Sequence, residues 1–450
     1  MNVRIAALAA TLALGAIAGA LMPGDVLVGS ARALEIQRVT SPGGIEAWLI
    51  EDRSAPILAI QAGFRGGSAQ DPTGKDGLAN LMVSLLDEGA GPFDSQAFQS
   101  RLENRSIEFG AEAERDNVMI GLRTIADRRD EAMAMLALAL TEPRFDQSAI
   151  ERMRASVLAA IQRDAENPQS IAWRTLWQSL FNSHVYGRQA RGTLETVKAL
   201  TRDDLTAFHK ARFSREGLMI GVVGDISPEE LKPLLDRTFG KLPVRGSSDA
   251  VAEATPAAPG TTTVIRRSIP QSVVAFGHFG IKRDDPDFYA AYVVNYILGG
   301  GGFSSRLMEE VREKRGLAYG VNSYMSTYRR AGLVLGSVGT ENAQAAASLA
   351  LIRKEWQRMR EDGPSEKELA NAKTYLTGSF ALQLSSTTRI ARMLVSIQAD
   401  NLGIDYLDKR NSYIEKVTIE DAHRVARRLY DPDRLTVVVV GDPAGMNTTN

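Results

Sequence analysis

The stretch Leu298–Tyr319, LGGGGFSSRLMEEVREKRGLAY, decides how this chain is read. Four glycines, Gly299, Gly300, Gly301 and Gly302, stand where an apolar run (Val293, Val294, Ile297, Leu298) ends. Phe303-Ser304-Ser305 follows, and either serine can accept the free N–H groups of a helix start. Leu307 and Val311 then share one helix face, and Glu310 and Lys314 the other. Gly316 predicts the stop of that helix. Tyr319 opens an extended stretch, Tyr319–Tyr328. An arginine late in a helix, Arg312, and a tyrosine at a strand start, Tyr319, are thus joined by a glycine turn and can point into one cleft. Each piece alone has an ordinary meaning. A glycine run is most often a loop, and a phosphate cradle would need a Lys-Ser/Thr pair after it, which is absent. A helix arginine is commonly solvated, and a tyrosine at a strand start commonly packs.

The rest of the chain sets the context. At 450 residues with 44% hydrophobic content it suits two or more domains, because one core rarely grows past about 250–300 residues. The net charge of −1 argues against a nucleic-acid binder, which would be clearly basic. With no cysteine, disulfides and thiolate metal sites are excluded. The N-terminus reads as an export signal: Arg4, then the uncharged apolar run Ile5–Met22, then the small-x-small site Ala31-Arg32-Ala33. Cleavage there places the mature protein, from Leu34, in the periplasm and off the membrane; Ala18-Gly19-Ala20 is an earlier candidate site, and an uncleaved anchor is the alternative.

Pro243–Thr262, rich in Ala, Pro, Gly, Ser and Thr, reads as a linker. It divides the chain into a signal (1–33), an N-terminal domain (34–242), the linker (243–262), a C-terminal domain (263–442) and a tail (443–450). The two domains look related. Leu218–Asp225 (LMIGVVGD) parallels Leu435–Asp442 (LTVVVVGD), and Leu200–Asp204 parallels Val417–Asp421, both at an offset of 217 residues. In each copy a threonine caps a helix that feeds a buried strand. Strand-like segments (Glu46–Phe64, Ser106–Leu122, Ser268–His278, Tyr319–Met325, Gly332–Val338) come in hairpin-like sets between helical ones. The helical segments are Gly77–Leu86, Ser95–Asn104, Arg128–Leu140, Gln147–Gln162, Pro286–Leu298, Asn342–Glu361 and Ser365–Phe380. That pattern predicts an α+β fold: two homologous domains, each a mainly antiparallel sheet with helices packed on it.

The spacing Arg312…Gly316-Leu317-Ala318-Tyr319 resembles the C-terminal half of the pitrilysin family, which includes insulin-degrading enzyme and the mitochondrial processing peptidases. The resemblance covers roughly Glu35 to Asp442. It implies two similar α+β domains and an Arg–Tyr pair that faces a zinc site on the other half. It also implies where that zinc site would lie, on the helix after Gly77-Leu78-Ala79, with the motif H-x-x-E-H: two imidazoles hold zinc and the glutamate activates its water. Here that register reads Asn80-Leu81-Met82-Val83-Ser84, so Asn80, Val83 and Ser84 replace histidine, glutamate and histidine. The family's distal glutamate falls around Ala159–Ala160, and no acid lies between Glu151 and Asp164. Glu88 reads as a helix-end residue, and His184, His209, His278 and His423 lack ligand spacing.

An empty zinc half beside an intact Arg–Tyr half resembles the non-catalytic subunit of a two-chain peptidase. The resemblance then implies no cofactor on this chain, zinc in a homologous partner subunit, and a peptide substrate. Arg312 and Tyr319 would act in trans on the oxyanion, and Gly299–Gly302 would hold substrate, although active relatives carry glycines here too. The alternative is a peptidase-inactive scaffold or peptide-binding protein of the same fold, like the core subunits of respiratory complexes.

Overall fold

The computed structural model describes residues 35–247, 250–257 and 260–446. The export signal and its cleavage site lie outside the described residues. From Ile36 onward the chain forms one compact unit built on two sheets. The first sheet has six strands in the order Gln37–Thr40, Glu46–Glu51, Met219–Gly224, Ile57–Arg65, Asn117–Ile125, Glu108–Ala113. The second has five, in the order Ala318–Tyr328, Ala331–Glu341, Gln271–Phe279, Thr436–Gly441, Thr262–Arg266. Both are antiparallel except for one parallel pair each: Glu46–Glu51 with Met219–Gly224, and Thr262–Arg266 with Thr436–Gly441. Taken from opposite ends, the second sheet repeats five strands of the first. The α+β duplication expected from sequence is therefore real at the level of topology. Its local signature is present as well. Thr201 and Thr418 each cap a helix through a reciprocal box with Asp204 and Asp421, and each helix leads to a strand buried along its whole length.

A strand buried on both faces needs cover on both faces. One face of each sheet packs on helices of its own half. The other is covered by a helix from the opposite half. The helix Pro168–Phe181 starts on an Asn167 cap with proline at its first position. It lays Ile171, Ala172, Leu176 and Leu180 on Ala275, Leu335, Val438 and Val440 of the second sheet. In return, the helix Thr387–Ala399 packs on Ile57–Arg65 and Met219–Gly224 of the first. Its approach is close enough to need glycine beneath it. A Cβ on Gly221 would lie 2.4 Å from the Ala391 carbonyl oxygen, and one on Gly63 2.7 Å from Val395 Cγ1. This exchange turns two related halves into one body.

The linker expectation needs amendment. Its composition is that of a loose tether, yet its described part is fastened along its length. Ser247 N–H donates to Ala211 O (3.0 Å), Ala254 N–H to Arg330 O (2.9 Å) and Ala257 N–H to Leu180 O (3.2 Å). Glu253 pairs with Arg330 at 2.9 Å and Lys282 at 3.3 Å. Main-chain bonds of this kind leave no periodic side-chain pattern, so composition could not report them.

Two helices outside the Arg312–Tyr319 stretch differ from expectation. The one over Gly77–Leu86 is shorter, Leu78–Val83. The Ser84 hydroxyl bonds back to Leu81 O at 2.7 Å, competing with the helix ladder. The one over Pro286–Leu298 begins at Phe288, after Asp285 accepts the Asp287 N–H at 2.9 Å, and widens to a π-helix over Tyr296–Gly300.

Candidate functional site

The degenerate helix comes first. Gly77 takes φ 94°, and buried Asp71 caps the helix start by accepting from Gly77 N–H (2.8 Å) and Ala79 N–H (2.9 Å). Burial raises the Asp71 carboxyl to about 7 even against those backbone bonds. Val83 is buried in the core of the first half, while Asn80 and Ser84 are half-buried. The helix Gln147–Glu166 packs across it, with Ala159 and Ala160 where the family's distal ligand would stand. An amide, an isopropyl group and a hydroxyl already bonded to Leu81 do not fit a zinc ion. Among the described residues no group of three His, Asp or Glu side chains is placed to hold a metal. Glu88 accepts from Ser95 and pairs with Arg152, a structural role. The four histidines are likewise occupied. His209 bonds Leu140 O and His184 bonds Ala252 O, both at 3.0 Å, and His423 bonds Pro364 O at 2.9 Å. His278 accepts from the Trp356 indole at 3.1 Å.

The Arg–Tyr unit is built differently. Leu307 and Val311 are fully buried and Glu310 pairs with Lys314 at 2.7 Å, as their spacing predicts. The segment Met308–Glu313 is a π-helix, not an α-helix, and Gly316 (φ 62°) ends it. The register of Ala318–Tyr328 against Ala331–Glu341 shifts between Ala318 and Gly320. Tyr319 is the extra residue of that bulge, so it leaves the ladder and stands 88% exposed. The Arg312 guanidinium lies 5.0 Å from its ring centroid and 4.5 Å from that of Phe303, which is 68% exposed. Arg312's ion pair is with its neighbour Glu313 at 3.5 Å. Arg312 and Tyr319 are thus brought together, as the sequence order suggests, with a third member that sequence reading missed. The available signal was a large apolar side chain, Phe303, set among Gly and Ser with no apolar neighbour.

The glycines divide by position. Gly299 is buried against the outer edge of Ala318–Tyr328, where a Cβ would meet Ser323 Oγ at 2.4 Å. Around it, Asn295 Nδ2–H donates to Ser323 O (3.2 Å) and Met308 sulfur receives Val321 N–H (3.4 Å). The segment therefore covers an exposed strand edge, and the helix is widened where it does so. Gly301 N–H closes the wide turn on Tyr296 O at 2.8 Å. Gly300 and Gly302 face outward, Gly302 with φ 56°.

Arg306 pins the start of the unit to the helix Glu366–Gly378. Its Nε and Nη2 bind both oxygens of Glu368 at 2.6 and 2.8 Å, and Nη2 also donates to Gly363 O at 2.8 Å. Burial works against ionising Glu368, but Arg306 and the Ser365 donors outweigh it and hold its pKa at about 2. A depressed carboxylate contributes stability that is present above its unfolded pKa and is lost as pH falls toward 2. Glu368→Gln should therefore lower the thermal midpoint at neutral pH and shrink the acid-side loss between about pH 4.5 and 2. Unfolding midpoints measured across that window check this; an unchanged pH profile would count against the pair.

With the fold and both sites in view, the class is clear: two duplicated α+β halves, a metal helix without ligands and an Arg–Tyr unit. The chain belongs to the peptidase M16 family, in its inactive type. The family model described as "Insulinase (Peptidase family M16)" matches residues 48–194, and "Peptidase M16 inactive domain" matches 199–376. The chain is 26% identical to the "Non-peptidase homolog YmxG" of Helicobacter pylori over 393 residues, covering 87% of this chain and 90% of that one. It is 25% identical to the mitochondrial-processing peptidase subunit beta of Blastocladiella emersonii, over 87% of this chain and 86% of that one. A solved peptidase M16 inactive domain from Pseudomonas fluorescens superposes with a TM-score of 0.86 and 27% identity, covering 93% of this chain and 100% of that structure.

Proposed function

We infer that this protein is the non-catalytic subunit of a two-chain zinc peptidase, exported to the periplasm. It pairs with a homologous subunit that carries H-x-x-E-H and holds the zinc. The observation that carries this reading is the pairing of Arg312 with the outward-standing Tyr319, on a chain whose own metal helix bears Asn80, Val83 and Ser84. A tyrosine turned out of its strand and 88% exposed leaves its hydroxyl open to a group brought by another chain. Hydrolysis at zinc builds negative charge on the peptide carbonyl oxygen, and a phenol O–H and a guanidinium suit that oxyanion and nearby carbonyls. Gly300 and Gly302 are exposed, Gly302 with open space around it, and offer backbone to an extended peptide.

The chain alone should retain no stoichiometric zinc after dialysis against a mild chelator and should cleave no peptide. Elemental analysis showing one zinc per chain would overturn this. Asn80→His, Val83→Glu and Ser84→His together should gain at most weak metal binding and no activity, since Ala159–Ala160 supplies no further ligand. N-terminal sequencing of the periplasmic fraction should begin at Leu34; an intact Met1 in soluble cytoplasm refutes export. Co-purification from the native host followed by mass spectrometry tests the pairing. Recovery without an H-x-x-E-H relative would favour the scaffold reading.

A further inference from the structure

Within the first half, a cavity of about 160 Å³ opens beside Trp177. Four arginines line it, Arg115, Arg174, Arg188 and Arg191, against one carboxylate, Asp164. The whole chain carries a net charge of −1, so this excess is local. Two of the four are accounted for. Arg191 pairs with Asp164, while Arg188 donates to Asp71 O at 3.0 Å and lies 3.7 Å from Asp76. Arg115 and Arg174 make no ion pair among the described residues. Of the two acids that flank Arg115 in sequence, Asp116 is taken up by the Tyr186 hydroxyl and by Arg329 N–H at 2.8 Å, and Glu114 is engaged by the Asn117 side chain and the charge of Arg392.

Arg115 is held for a purpose its protein contacts do not exhaust. Its guanidinium lies 4.1 Å from the Trp177 ring centroid, touches the Tyr328 hydroxyl and reaches Arg188 O only at 3.5 Å. Burial lowers its pKa, against the opposing pull of Tyr328, Tyr186 and Asp116. A guanidinium stacked by its face keeps its N–H edge for acceptors in its plane, and a planar or tetrahedral oxyanion is the acceptor that matches it. Arg174 stands one turn before Trp177 on the same helix, Pro168–Phe181.

We propose that this cavity binds a small oxyanion, of the phosphate or carboxylate class, held by Arg115 and Arg174. The volume accommodates one such group. Arg115 and Ala190 also line an adjoining cavity of about 540 Å³, bordered from the second half by Tyr328 and Arg329, which leaves room for a larger molecule bearing the anion. The site is independent of the Arg312–Tyr319 unit. Because its lining is drawn from chain positions as far apart as Arg115 and Arg191, the site exists only in the folded chain, and an occupant bound here stabilises that state.

The test is calorimetric titration and thermal unfolding of the full mature chain with inorganic phosphate, pyrophosphate and citrate, in low-salt buffer with potassium chloride matched for ionic strength. Saturable binding with a raised unfolding midpoint is expected. Arg174→Gln should weaken it by about tenfold or more, and Arg115→Lys, which keeps charge but loses the fork, should weaken it too. Arg237→Gln, at an exposed pair with Asp130, should bind as wild type. A response to pyrophosphate alone assigns a phosphoryl ligand, and one to citrate alone a carboxylate; either upholds the site. Failure of all three anions to saturate, or wild-type affinity in folded Arg174→Gln, overturns it.

Discussion

Tyr319→Phe is expected to lower kcat of the paired assembly by roughly one to three orders of magnitude, with assembly itself unchanged. The substitution removes one hydroxyl from a ring that is 88% exposed, so neither packing nor folding has a stake in it. What remains is the donor. In the inferred complex that O–H meets the oxyanion only as charge develops there, so its loss falls on kcat more than on KM. Arg312→Lys keeps the charge but gives up the planar group that lies between Phe303 and Tyr319, so rate and substrate binding should fall together. Steady-state kinetics of the reconstituted complex, with assembly followed by sizing, separates these effects. If Tyr319→Phe combined with Arg312→Ala cleaves peptides at the wild-type rate, the in-trans role is wrong.

Leu176→Ala should cost about 2–5 kcal/mol of folding stability. Leu176 is fully buried where a helix of the first half meets the sheet of the second, and its neighbours there come from both halves. Removing it leaves a hole at the seam that neither half can close alone. Leu382→Ala, at a side chain 74% exposed, should change stability by less than about 0.5 kcal/mol. By the same reasoning, the halves expressed separately each expose a sheet face that the other covers. They should fold only when mixed. Urea denaturation of both variants and circular dichroism of the separate halves measure this. A Leu176→Ala loss no larger than that of Leu382→Ala, with each half folding alone, would mean the exchanged helices are not what unites the chain.

Much of the site was legible because it depends on residue identity at fixed local spacing. The replacement of zinc ligands by Asn80, Val83 and Ser84 needs no coordinates: a valine cannot ligate or move a proton wherever it is placed. The glycine turn between Arg312 and Tyr319 is equally local, and so are the two threonine caps. The glycine run shows the limit. Its composition is compatible with a substrate loop along its whole length. Only the packing reveals that Gly299 is small because Ser323 of a strand 24 residues onward presses on it, whereas Gly300 and Gly302 face out.

The sequence by itself determined the family, the α+β duplication at its offset of 217 residues, the absence of a zinc ligand set and the proximity of Arg312 to Tyr319. These rest on short-range order: caps, periodicity, turns and the chemistry of side chains. The tertiary structure alone decided that each half lends a helix to the other's sheet, that the linker is fastened, that two helical segments widen to π, that Tyr319 leaves its strand as a bulge, and that Phe303 stacks on Arg312. Each of these depends on which surfaces approach across long chain separations, where a missing Cβ or a shifted register wins against local preference, and such contests are not written in the spacing of neighbouring residues.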